Sequence, residues 1–176
     1  VHGSGPSNMD EAMGPNAPFR DLAEGLSRRG VAVLRYDKRT FVCPQFFANA
    51  TAGFTYDDET VDDAISAIRL VKDSLAQTMA LDPSRIYIVG HSMGGMLAPR
   101  IAERSGAVAG LVLLAAPTGK LHPTMERQLA YLGRSAEEIR KLTEIALADI
   151  PDSYLDLDAR YSDTATAQSL NLPMLI

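Results

Sequence analysis

Apolar residues along this chain follow two spacings, stripes at helical intervals and short unbroken runs. Phe19, Leu22, Ala23 and Leu26 fall at i, i+3, i+4 and i+7, which predicts a helix, and Gly30 stands where a glycine closes one. Val31-Ala32-Val33-Leu34 follows as a short buried strand that ends at Arg35-Tyr36-Asp37. From Lys38 to Gly53, Pro, Asn and Gly mix with aromatics without a period, which reads as loop. Asp57, Asp58 and Glu59 open the next helix, where negative charge suits the macrodipole. Its apolar stripe is Val61, Ala64, Ile65, Ile68, Val71 and Leu75. After the turn Asp82-Pro83-Ser84 comes a second strand, Ile86-Tyr87-Ile88-Val89. A helix then runs toward Arg104, and Leu111-Val112-Leu113-Leu114 is the third strand.

Strands that are apolar on both faces, separated by helix-length segments, predict an α/β fold with a mainly parallel sheet covered by helices. From Thr118 to Leu170 the pattern is purely helical. Met125, Leu129 and Leu132 mark one helix. Ser135-x-x-Glu138 is a capping box for a second, which carries Ile139, Leu142 and Ile145 and is ended by Pro151. A helical insertion between sheet strands suits a lid over a site. The expected division is a core of residues 1–117 and 170–176 with a helical lid at 118–169. At the start, Val1-His2-Gly3-Ser4-Gly5-Pro6 sets a Gly-rich turn after a single apolar residue. At the other end, Leu172-Pro173-Met174-Leu175-Ile176 stops in mid-run. Both predict a core truncated within a strand.

Charge and composition narrow the function. The 176 residues hold 17 Lys+Arg and 22 Asp+Glu, a net charge of −5 with no basic block, which disfavours nucleic acid and anionic lipid as partners. The longest apolar run, Leu111 to Pro117, falls far short of the ~18 residues a membrane span requires. A single cysteine, Cys43, excludes an internal disulfide and a multi-cysteine zinc site. Three histidines, His2, His91 and His122, argue against a clustered metal site, and no metal is expected. Compartment and oligomeric state leave no signal in the sequence.

The chemistry concentrates at Gly90-His91-Ser92-Met93-Gly94, a G-x-S-x-G followed by Gly95, with an apolar strand leading in and a helix leading out. Such a strand-to-helix turn holds the serine in strained backbone geometry, and small residues two before and two after it avoid the resulting clash. Ser92 Oγ would then stand at a helix N-terminus, where developing negative charge is favoured. The alternative is a Gly-rich turn with an inert serine. An oxyanion hole needs two converging backbone N–H groups. Met93, after the nucleophile, would supply one, and Ser4, with Gly5 next in line, the other.

These stretches together resemble a serine α/β-hydrolase of the bacterial carboxylesterase type, a group close to serine-aminopeptidase-like hydrolases. The resemblance rests on HGSGP at the start, RGVAVLRYDKR around Tyr36, GHSMGGMLAPRIA around Ser92, LVLLAAP, and the closing LPMLI. It implies an α/β-hydrolase fold with a helical lid and an acyl-enzyme on Ser92. It also implies a small-molecule ester substrate and no cofactor. The family orders its triad as serine, acid, histidine. The resemblance therefore places the acid and the histidine downstream of Ile176, and the 176 residues alone are expected to be nearly inactive.

Other residues read differently. His91 adjoins the nucleophile and is expected to pack beside the elbow, His2 to brace the oxyanion loop through hydrogen bonds, and His122 to sit at the start of the lid. Asp37, in its Asp-Lys-Arg setting, fits a salt-bridge network or a solvated loop better than a catalytic acid. Cys43 has no basic neighbour to lower its pKa. Met93, Met96, Met125 and the lid leucines line an acyl pocket or pack the core and the underside of the lid. Pro99 implies a kink or a late start in the helix after the elbow. The competing function is a non-catalytic binding protein that keeps the elbow as scaffold. Within enzymes, thioester and amide cleavage remain open.

Overall fold

The computed structural model describes residues 1–45 and 53–176. Three parallel strands, β1 (Tyr87–His91), β2 (Gly110–Leu114) and β3 (Met174–Leu175), lie in the order β1-β2-β3. Tyr87 stands opposite Gly110 and His91 opposite Leu114, and Leu111 faces Met174. On the free side of β1, the His91 amide donates to the Val1 carbonyl at 3.0 Å, so Val1 runs beside it.

Helix α1 (Pro18–Ser27) buries Phe19 and Ala23, and Gly30 at φ 78° closes its end while Val31 N–H returns to the Leu26 carbonyl. The short α2 (Arg39–Val42) lies inside the segment predicted as loop; residues 46–52 of that segment fall outside the described residues. Helix α3, residues 57–78, opens with a π-helical turn, Asp57–Val61. It continues as α-helix through Asp62–Leu70, then passes a second π-helical turn, Val71–Leu75, before Ala76–Thr78. Val61, Ala64, Ile65 and Ile68 are buried as the stripe predicts. Asp57 does more than complement the dipole: Arg100 donates to both its oxygens at 2.7 Å, and Arg104 lies 3.1 Å away.

Helix α4 (Met93–Ser105) is the centre of the core, with Leu97, Ala98 and Ile101 fully buried against the sheet and α3. It begins at Met93 and continues through Pro99, so the late start is excluded; the proline lies inside the helix, where it removes one N–H from the ladder and crowds the carbonyl of Gly95. Between β2 and β3 come α5 (Leu121–Tyr131), α6 (Ala136–Ala148), α7 (Asp152–Arg160) and α8 (Asp163–Ser169). The Ser135–Glu138 capping box forms in both directions. Tyr56 donates to Asp158, whose carboxylate also accepts the Leu121 N–H, and Lys120 caps the last carbonyls of α7. These contacts fasten α7 to the residue that precedes α3 and to the start of α5.

One predicted strand does not form. Val31, Val33 and Leu34 are 48%, 37% and 37% exposed, and no described strand lies alongside to complete a ladder. An apolar run reports a preference for burial, whereas a strand also needs a neighbour for its N–H and C=O groups. No helix among the described residues is long and apolar enough to cross a membrane.

Candidate active site

β1 delivers the chain to Ser92 and α4 carries it away, and the turn between them is strained. Ser92 has φ 51° and ψ −120°, a conformation that a non-glycine residue adopts only where its surroundings enforce it. Its amide donates to the Leu114 carbonyl at 2.9 Å, which ties the turn to the end of β2. The neighbouring glycines are dictated by contact. A Cβ on Gly90 would strike the Gly94 carbonyl, one on Gly94 would strike the Val1 carbonyl, and one on Gly95 would lie 2.7 Å from Ala116 Cβ. G-x-S-x-G-G is therefore the sequence this crossing requires.

The opening loop reaches the same place. A Cβ on Gly3 would lie 3.3 Å from Ser92 Cβ, so HGSGP runs alongside the serine. Gly3 N–H is taken by Glu11 Oε1 at 2.6 Å, while no hydrogen bond engages the Ser4 or Met93 amide among the described residues. Ser4 is exposed and Ser92 half-buried, so this corner is open to a ligand. Met93 sits at the start of α4 with its side chain 6% exposed. The structure thus brings Ser4, Ser92 and Met93 to one corner at the carboxyl edge of the sheet.

The histidines divide as follows. His91 Nδ1 lies 3.0 Å from Glu11 Oε2, so its ring is directed to Glu11 beside the elbow. His2 is held by packing and by a hydrogen bond. It is packed between Phe19 and Tyr36, both ring centroids at 5.4 Å, and its Nε2 has no partner. The ring hydrogen-bonds the Asn8 backbone, and burial lowers its pKa to about 4, so it braces the loop as a neutral ring. His122 is exposed in the first turn of α5, 3.6 Å from Glu126. No histidine or carboxylate hydrogen-bonds Ser92 Oγ among the described residues.

Asp37 accepts the Met9 N–H at 2.8 Å, Arg35 pairs with Asp10 and Arg39 with Asp63, so the stretch around Asp-Lys-Arg is a network that joins the opening segment to α3. Cys43 is exposed. Met93 and Met96 belong to the buried core, and Met125 is half-buried. Sequence reasoning missed three residues near the site: Glu11, Glu59 and Tyr154. Glu11 is 6% exposed at φ 51°, and its local sequence shows only a polar turn. Glu59 pairs with Lys38, and Tyr154 donates to Glu59 from 95 positions away. No group of residues suited to a metal ion occurs among the described residues.

Comparison with known proteins bears on the fold. A relative named Esterase EstD, from Thermotoga maritima, is 40% identical over an alignment of 191 residues. The alignment covers all of this chain and 44% of the relative, so the chain spans less than half the length of that protein. No solved structure matches. The profile described as Alpha/beta hydrolase family matches residues 1–175, taking in the opening loop, the strained serine turn and the strand that follows the helical segment. The chain belongs to the alpha/beta hydrolase family.

Proposed function

We propose that this chain carries the nucleophile and oxyanion half of a serine hydrolase that cleaves carboxylic esters. Ser92 Oγ attacks the acyl carbonyl, and the Ser4 and Met93 amides receive the negative charge on its oxygen. The alcohol leaves with a proton, and water releases the acyl group from Ser92. The observation that carries this reading is the backbone of Ser92, φ 51° and ψ −120° at the strand-to-helix turn. Strain of that kind persists where it aims a side chain at a function. The relative's name, Esterase EstD, favours esters over thioesters and amides.

The general base and its acid belong, on the triad order of the family, C-terminal to β3. Residues 118–169 act as a lid, with α7 and α8 as the part fixed to the core and α5 and α6 as the part that shapes access for a small acyl substrate. Labelling of the full-length gene product with a fluorophosphonate tests the reading. A single adduct on wild type, lost in Ser92→Ala at unchanged melting temperature, is the expected result. No adduct on the wild type would favour the binding-protein alternative.

A further inference from the structure

The Lys38 ammonium is buried, 2% exposed at its side chain, and has three acceptors for its three protons. It donates to the Gly3 carbonyl at 2.8 Å, the Gly5 carbonyl at 3.1 Å and Glu59 Oε1 at 2.6 Å. The two carbonyls bracket Ser4. A peptide unit is planar and trans, so the Gly3 carbonyl and the Ser4 N–H share one plane and point in opposite directions. Fixing the carbonyl on Lys38 therefore fixes the direction of the Ser4 N–H. A cation on the carbonyl also polarises the unit and strengthens its N–H as a donor. Glu11 locks the preceding amide, since it accepts the Gly3 N–H.

Lys38 is itself held in place. Glu59, in the π-helical turn that opens α3, accepts Lys38 on one oxygen and the Tyr154 hydroxyl on the other at 2.7 Å. The same hydroxyl lies 3.4 Å from Met93 Sδ. The cluster therefore touches the peptide unit that carries the Ser4 N–H, through the Gly3 carbonyl, and the side chain of Met93, and through Tyr154 it reaches α7. Burial draws the pKa of Lys38 down while Glu59 opposes the shift. A buried pair of this kind adds little net stability, because desolvating two charges offsets their attraction. What it supplies here is geometry.

We propose that Lys38, held by Glu59, is a positioning residue that aims the Ser4 amide at the oxyanion. This inference rests on the serine-hydrolase reading of Ser92. The test uses the full-length protein as wild type and Lys38→Met. Active sites are counted by fluorophosphonate labelling. The readouts are kcat and KM on p-nitrophenyl acetate and inhibition by a trifluoromethyl ketone, whose tetrahedral adduct carries the oxyanion. The variant should lose about 10- to 100-fold in kcat per labelled site, less than outright deletion of a donor. KM should stay within about threefold, and ketone affinity should fall in step with kcat. A merely structural role would lower the melting temperature and the labelled fraction but leave kcat per labelled site and ketone affinity unchanged, and that result overturns the proposal. If Lys38→Met does not fold, Glu59→Gln decides by the same readouts, with the same loss supporting the proposal and unchanged values overturning it. A wild type that does not label overturns the hydrolase reading and this inference with it; normal labelling with unchanged kcat overturns this inference alone.

Discussion

His2 and Ser92 sit within one corner and are governed by opposite demands, one for a dry ring and one for a strained backbone. His2 is 3% exposed, and burial holds its pKa near 4 against an ordinary value of 6.5. Its folded pKa is depressed, so the unfolded chain binds the proton more readily. The stability it contributes is complete above 6.5 and is lost as pH falls from there toward 4. The difference between the two values corresponds to about 3 kcal/mol. Melting temperature measured in steps from pH 7 to pH 4 should fall more steeply for wild type than for His2→Phe, which keeps a ring between Phe19 and Tyr36. Parallel curves would show that His2 is not the group responsible. Ser92 was legible in the sequence because its demand is steric and local, written as glycines at fixed offsets. The pairing of Lys38 with Glu59 was not, since Asp-Lys-Arg read as a salt-bridge network or a solvated loop without named partners and Glu59 as charge suited to the helix macrodipole. Only the fold brings their partners, 21 and 35 positions distant, to within hydrogen-bond reach.

Among the elements, the helix cap, whose signal is local, came out as read, while one of the predicted strands, whose identity depends on a neighbour, did not form. The Ser135 hydroxyl accepts the Glu138 N–H at 3.3 Å, and the Glu138 carboxylate accepts the Ser135 N–H at 2.8 Å. This cap matters for α6 because its apolar stripe is poorly covered, with Leu142 41% and Ile145 58% exposed. A helix with little burial relies on its ends. Ser135→Ala should cost about 1 kcal/mol of local stability. Amide hydrogen exchange would show it as faster exchange through Ala136–Ala148 with α4 unaffected; equal rates in α6 would mean that packing on α5 holds the helix without its cap. The strand predicted at Val31–Leu34 is the converse case. Its composition is that of a buried strand, but strand identity belongs to a pair, and one segment cannot reveal whether its partner is present.

At the scale of the whole molecule, the core has a well-packed side and an open side. Leu97, Ala98 and Ile101 on α4 exclude solvent completely, and α3, α7 and the sheet close around them. On the other side, Ala32, Val33 and Leu34 make no backbone hydrogen bonds among the described residues. Leu34, Tyr36, Val42 and Leu70 line an open groove of about 530 Å³, and Phe41 beside it is 51% exposed. Extended backbone with free N–H and C=O groups next to exposed aliphatic side chains pairs readily with a second chain. A net charge of −5 opposes this only weakly at physiological salt, where the Debye length is about 8 Å. Residues 1–176 prepared alone should therefore associate and bind an apolar fluorescent dye. Val31→Lys with Val33→Lys should shift sedimentation velocity toward monomer, because a charge on the extended segment blocks pairing without touching the serine turn. A wild-type polypeptide that sediments as monomer and leaves the dye dark would show that Val31–Leu34 finds cover within its own chain in solution.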